Sequence, residues 1–250
     1  MTHSTAHEFE GRVVLVTGAA RNIGRTIAQS FAAAGARVAI NARTSLRDLD
    51  EAVQSIATEG GAAIACPADI TDRAAVDRMV ETVIARWGRI DILVNNAVSH
   101  TMQPFEQLSY DDWHRSLAVT LDGAFHCVQA CLPAMTRAGG GSIVNLGGLF
   151  GHVPARGRAA TSVAKAGLAG LTRALALELA ERNINVNYVA PGPANTVREA
   201  PLKFDMSAIP LGRFAEPSEV AAVVKMLCGA EGRYITGQTL HVNGGLHMAS

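Results

Sequence analysis

The chain has 250 residues, 48% of them hydrophobic and 5% aromatic, and carries no formal net charge. That length suits one large α/β domain or two small ones. The neutral balance offers no basic face to nucleic acid or an anionic membrane, and no apolar run approaches the roughly 18 residues that span a bilayer.

The opening "MTHSTAHEFE" is polar and lacks the apolar stretch of a secretion signal, so residues 1–10 are expected to form a flexible arm. "RVVLVTG" follows as a short buried strand ended by glycine, then "IGRTIAQSFAAAG" with helical spacing and a stop at Gly35. "ARVAINAR" is the second strand and "LRDLDEAVQSIATEGG" an amphipathic helix ending in a glycine pair. "AAIACPADI" is the third strand, and Thr71 or Asp72 caps the helix "DRAAVDRMVETVIARWG". "IDILVNNA" is the fourth strand. A long helix over 110–138, the strand "SIVNL", a helix over 160–182 and the strand "INVNYVAPG" come next. A helix over 217–229 and the strand "TLHVNGG" close the chain.

Strict alternation of strands and helices predicts one α/β domain over 1–250, a doubly wound parallel sheet of about seven strands with helices on both faces. The irregular segment at about 195–214 is the candidate substrate lid.

Cys66, Cys127, Cys131 and Cys228 form no CxxC pair. Cys127 and Cys131, four apart on a helical pattern, read as small buried apolar residues. The eight histidines show no paired metal spacing, so no metal is expected. A reducing cytoplasm is the expected location.

Chemistry first shows in "VTGAARNIGR". Gly18 and Gly24 flank a turn between a strand and a helix, where a pyrophosphate can approach the backbone and the helix N terminus. Arg21, Asn22 and Ile23 complete this Rossmann-like turn. Asn22 stands where a middle glycine would be, and asparagine tolerates the left-handed backbone region. The second strand ends in Asn41, Ala42, Arg43 and Thr44, without the carboxylate that would bind an NAD ribose. Arg43 and Arg21 suit a 2′-phosphate, which favours NADP(H) over NAD(H).

These motifs resemble the short-chain dehydrogenase/reductase family over nearly the whole chain. The likeness is carried by "TGAARNIG", "PADITD", "LVNNA", "GGGSIVN", "AKAGLAGLTRALALELA", "VAPGPANT" and "YITGQTLHVNGG". The resemblance implies that Asp69 and Ile70 contact the adenine and that Asn95 and Ala97 line the cofactor. It places Pro191, Gly192 and Thr196 by the nicotinamide and lets Lys165 bind the nicotinamide ribose. It also implies a homodimer or homotetramer paired through the helices at 110–138 and 160–182. Val98 stands where the family usually has glycine.

The family's chemistry uses Asn, Ser, Tyr and Lys. In this chain the first three places hold Thr120, Gly148 and Thr161, and only Lys165 matches. Ala164 replaces the usual Ser or Thr before it. A threonine hydroxyl is far less acidic than a tyrosine, whose pKa is about 10. Losing the acid costs roughly 10²–10⁴ in rate, and losing the oxyanion donor costs about 10²–10³.

His100, His152 and Ser99 are the expected substitutes in the cleft; Arg156 and Ser162 are weaker ones, and Tyr110 reads as structural. The expected function is an NADP(H)-binding oxidoreductase for a small carbonyl or alcohol, with atypical proton delivery. Two alternatives stay open: a non-redox dehydratase, isomerase or lyase reaction, and a non-catalytic cofactor-binding partner subunit.

Overall fold

In the computed structural model, residues 7–197 and 204–248 are described. β1 (Val13–Val16), β2 (Arg37–Ala42) and β3 (Ala62–Pro67) run outward from the centre of the sheet. β4 (Ile92–Asn95), β5 (Gly141–Leu146), β6 (Ile184–Pro191) and β7 (Thr239–Val242) run outward the other way. All seven pair in parallel, in the order β3-β2-β1-β4-β5-β6-β7. The order reverses between β1 and β4, which opens a crevice at their carboxyl ends, where ligands of such sheets bind.

The two-residue period of a strand sends successive side chains to opposite faces. Val14 and Val16 join a core made with α1 (Asn22–Ala33), α2 (Leu46–Thr58) and α7 (Pro217–Cys228). Val13 and Leu15 join the opposite core with α3 (Arg73–Trp87), α5 (Gly123–Arg137) and α6 (Ala159–Leu179). The doubly wound layers follow from this split. Of the two cap residues considered for α3, Asp72 does the capping, accepting from the backbone N–H groups of Ala74 and Ala75.

The long helix is built from α4 (Tyr110–Leu117), a π-helical segment at Ala118–Asp122, and α5. Its 28 residues are long and apolar enough by composition to cross a membrane. The fold uses them otherwise: Cys127, Cys131 and Met135 are fully buried in the second core. Tyr110 is exposed and packs edge-on against His114.

Two expectations about segments change. Phe9 is 2% exposed and meets Phe31 edge to face, so the end of the expected flexible arm is anchored in the core. Residues 1–6 lie outside the described region. Of the candidate lid, 198–203 also lie outside it. The described remainder includes a short turn at Met206–Ala208, a buried Ile209, and a bridge from Ala194 to Ala215 beside it.

A cavity of about 480 Å³ lined by Arg12, Asp91, Gly140 and Asn183 opens at the amino ends of the strands. It lies opposite the crevice. Buried Asp91 there is bonded by Arg12, Arg89 and the Val13 N–H, which staples β1 to the start of β4.

Candidate active site

The Gly-rich turn is held by side chains from neighbouring strands. The Thr17 hydroxyl accepts from the Asn96 and Ala97 N–H groups, and Asn96 Nδ2 donates to the Thr17 and Gly18 carbonyls. Asn41 accepts weakly from the Gly18 N–H while donating to the Cys66 and Ala68 carbonyls. A Cβ on Gly18 would stand 2.8 Å from Ala97 Cα, so this approach requires glycine. Asn22 takes the left-handed conformation, φ 55°, and its amide clasps the Val197 backbone at 2.9 and 3.1 Å. Sequence reasoning passed over Thr17 and Asn96. The doubled asparagine of "LVNNA" was the available signal.

A dinucleotide fits this turn. Arg21 precedes α1 without capping it, and the first turn holds no acidic residue. Within α1 itself the N–H groups of that terminus thus face no carboxylate of their own first turn, which suits an incoming pyrophosphate. Ile23 lies in that first turn and packs against the first core.

At the far end of the crevice Arg43 reaches Asp69 at 3.4 Å. Partial burial works against the Asp69 charge. Hydrogen bonds from Thr71 and the Arg43 guanidinium outweigh it, holding this carboxyl below its usual range. Ile70 packs on α5 where Gly123 leaves room, and its carbonyl meets His126 Nδ1 at 3.0 Å. Asn95 Nδ2 bonds Asn145 inside the core, and Asn145 bonds Thr172. Asn95 Oδ1 is buried without a hydrogen-bond partner among the described residues.

Lys165 lies in α6 and is only 5% exposed. No ion pair or hydrogen bond engages its Nζ among the described residues. Phe150 offers its ring at 5.9 Å, and Arg158 lies 5.2 Å from the same ring. Burial first, then the Arg158 charge, brings the Lys165 ammonium down to about 8. A Cβ on Gly148 would stand 3.0 Å from Nζ and 3.2 Å from the Pro191 carbonyl. Gly148 has φ 107° and ψ 177°, a region open essentially to glycine alone. Gly192 is likewise pressed against Asn243. Thr196 adjoins this loop, its hydroxyl reaching the Ala194 carbonyl at 3.5 Å.

Thr120 and Thr161 both face the 99–101 loop. The Thr161 hydroxyl donates to the Thr101 carbonyl at 3.2 Å and accepts from the Thr101 N–H at 3.4 Å. Thr120, in the π-helical segment, accepts from the Ser99 N–H at 3.5 Å. Both hydroxyls stitch that loop to the helices.

His100, in the same loop, is exposed. His152, in the loop after β5, is partly buried. Its ring packs on Tyr188, His241 and His247 at 5.4, 4.9 and 6.1 Å, and its Nε2 is enclosed without a hydrogen-bond partner among the described residues. That atom is not offered to a substrate.

Tyr188 itself had no predicted role. It is fully buried in β6, and its hydroxyl donates long bonds to the Gly148 and Lys165 carbonyls. Burial pushes that hydroxyl well above the usual tyrosine range, so it stays protonated.

A family model described as enoyl-(acyl carrier protein) reductase matches residues 18–247, almost the whole chain. The chain belongs to the short-chain dehydrogenase/reductase family. The 3-oxoacyl-acyl-carrier-protein reductase FabG of Staphylococcus aureus is 38% identical over 239 residues, covering 94% of this chain and 97% of its own. Among solved structures, a blue fluorescent protein from a metagenomic library in complex with NADPH superposes with a TM-score of 0.91. It is 32% identical and covers 97% of this chain and 100% of its own. A 7α-hydroxysteroid dehydrogenase complexed with NADH and 7-oxo glycochenodeoxycholic acid gives the same TM-score of 0.91. It is 30% identical, with 98% of each chain covered. The chain is thus similar to one protein solved with NADPH and to another solved with NADH.

Proposed function

We propose that the protein is an NADP(H)-dependent oxidoreductase acting on a small carbonyl or alcohol, with proton delivery that uses neither tyrosine nor serine. The observation that carries the cofactor choice is the end of β2. Arg43 follows the last residue of β2, Ala42, where the chain itself carries no carboxylate, and the first turn of α1 holds no acidic residue; Asp69, after β3, pairs with the Arg43 guanidinium at 3.4 Å and leaves its other donors for a phosphate. Arg43 and Arg21 would hold the 2′-phosphate, and the α1 terminus the pyrophosphate. Lys165 would hold the nicotinamide ribose. The bound cofactor supplies or accepts hydride; the chain supplies orientation, exclusion of water and the proton.

Exposed Phe125 on α5 and exposed Val163 and Leu177 on α6 support pairing of copies through these helices. We place the protein in the cytoplasm, as a homodimer or homotetramer.

The same Lys165 suits a second reading, a non-redox dehydratase, isomerase or lyase reaction, because an amine with a lowered pKa is a competent base. Product formed without any nicotinamide would favour it. Titration calorimetry with NADPH and NADH tests the main reading. NADPH should bind the more tightly, and Arg43→Ala should weaken it by about 10–100-fold, the value of a charge-assisted hydrogen bond, while sparing NADH. Equal binding of the two cofactors would remove the NADP(H) assignment.

A further inference from the structure

We propose that Lys165 is itself the proton donor, passing its Nζ proton directly to the substrate oxygen beside the bare backbone of Gly148. The proposal rests on the oxidoreductase reading above.

Space comes first. A Cβ at Gly148 would lie 3.0 Å from Nζ and 3.2 Å from the Pro191 carbonyl, so the bare glycine is what lets the ammonium lie against this loop. The backbone there, at φ 107°, disfavours any side chain. Competitors come second. The hydroxyls of Thr161 and Thr120 are engaged with the 99–101 loop. The Tyr188 hydroxyl is enclosed behind Gly147 and Gly151, and His152 Nε2 is enclosed as well. Competence comes third. A lysine in water holds its proton until pH is about 10.4. Lys165 is buried without a counter-ion among the described residues and titrates at about 8. The charged and titratable groups set against it among the described residues are Arg158 at the start of α6 and Tyr188 from β6. Neither is a carboxylate.

The step balances. In reduction the substrate carbon accepts hydride from the reduced nicotinamide, which is oxidised. The substrate oxygen accepts a proton from the Lys165 ammonium, and the N–H bond that breaks leaves a neutral amine. Solvent returns the proton. The protonated lysine is the active form, so reduction should slow as pH rises through about 8, and alcohol oxidation should quicken over the same range.

The chain has three lysines, Lys165, Lys203 and Lys225, so nitrogen-15 lysine labelling yields a readable titration of the cofactor-free protein. One Nζ resonance should titrate near pH 8 and vanish in Lys165→Met. Titration of all three in the ordinary range overturns the proposal. Lys165→Arg then separates the two roles, because a guanidinium keeps its charge but does not release a proton.

That variant should still bind NADPH in titration calorimetry, while NADPH oxidation with a panel of β-keto esters and α-diketones falls roughly 10²–10⁴-fold. Retained turnover in Lys165→Arg overturns the proposal, as does absence of turnover in a wild-type protein that binds NADPH. Failure of the wild type to bind NADPH is a different result. It removes the cofactor reading and leaves the lysine titration to be judged alone.

Discussion

Tyr188 and Gly147 are fitted to each other: the tyrosine hydroxyl and ring edge fill the volume that a Cβ on Gly147 would need. Gly151 faces the same hydroxyl, where a Cβ would lie 2.9 Å away. The loop after β5 therefore closes around a buried phenol. Gly147→Ala should destabilise the protein by about 1–3 kcal/mol or more, as overpacking does. Tyr188→Leu should recover part of that loss, because it clears the collision at the expense of the filled core. Urea unfolding of the two single variants and the double variant checks this. Additive losses would show that the two residues are not coupled.

The neighbouring glycine answers a different question, whether the missing serine can be put back. At Gly148 the backbone conformation is open essentially to glycine, and a new Cβ would press on Lys165 Nζ and the Pro191 carbonyl. Gly148→Ser should therefore fail to raise NADPH oxidation and should cost about 1–3 kcal/mol of stability from strain. Turnover with the carbonyl panel and a thermal melt read the two effects. A rise in turnover of about tenfold or more would mean that the loop relaxes around the serine.

Much of this was legible in the sequence. The βα alternation, the glycine stops and the turn at Gly18 to Gly24 show in apolar periodicity and punctuation. Lys165 stands out by its place in the chain, but its burial and its approach to Gly148 show only in the fold. The tasks of Thr120 and Thr161 were not legible, because both hydroxyls bond to a loop from separate helices. Tyr188 was hidden for a similar reason. Only the parallel pairing of β5 with β6, which sets Leu146 beside Val189, carries its side chain behind the glycine loop. The imidazoles of His152, His241 and His247 come from three segments that no short motif joins.

Those imidazoles set a pH limit on stability. Burial first, then the His247 and Arg173 charges, holds His152 below its ordinary value of 6.5. Burial, then His152 and His247, does the same to His241. A depressed folded pKa means that the unfolded chain binds more protons as pH falls. The stability from the neutral rings is thus complete above 6.5 and is lost as pH drops through the lower folded values. The urea midpoint should fall between about pH 7.5 and pH 5.5, and fall less steeply in His152→Gln. Identical slopes in the two proteins would exclude this cluster as the source.

Lys165 carries the opposite burden, one that function and stability divide between them. Its folded pKa of about 8 lies below the ordinary 10.5, so the unfolded chain is the better proton acceptor. Folding is therefore penalised in full below pH 8, and the penalty disappears above 10.5. Methionine keeps most of the apolar stem and removes the ammonium. Lys165→Met should thus raise stability at neutral pH by about 1–3 kcal/mol while abolishing turnover, and the gain should shrink as pH rises toward 10. Thermal or urea unfolding across that range reads it. A loss of stability at neutral pH would mean that the ammonium is held by favourable contacts in the folded protein, and it could not then be the loosely held proton that the chemistry needs.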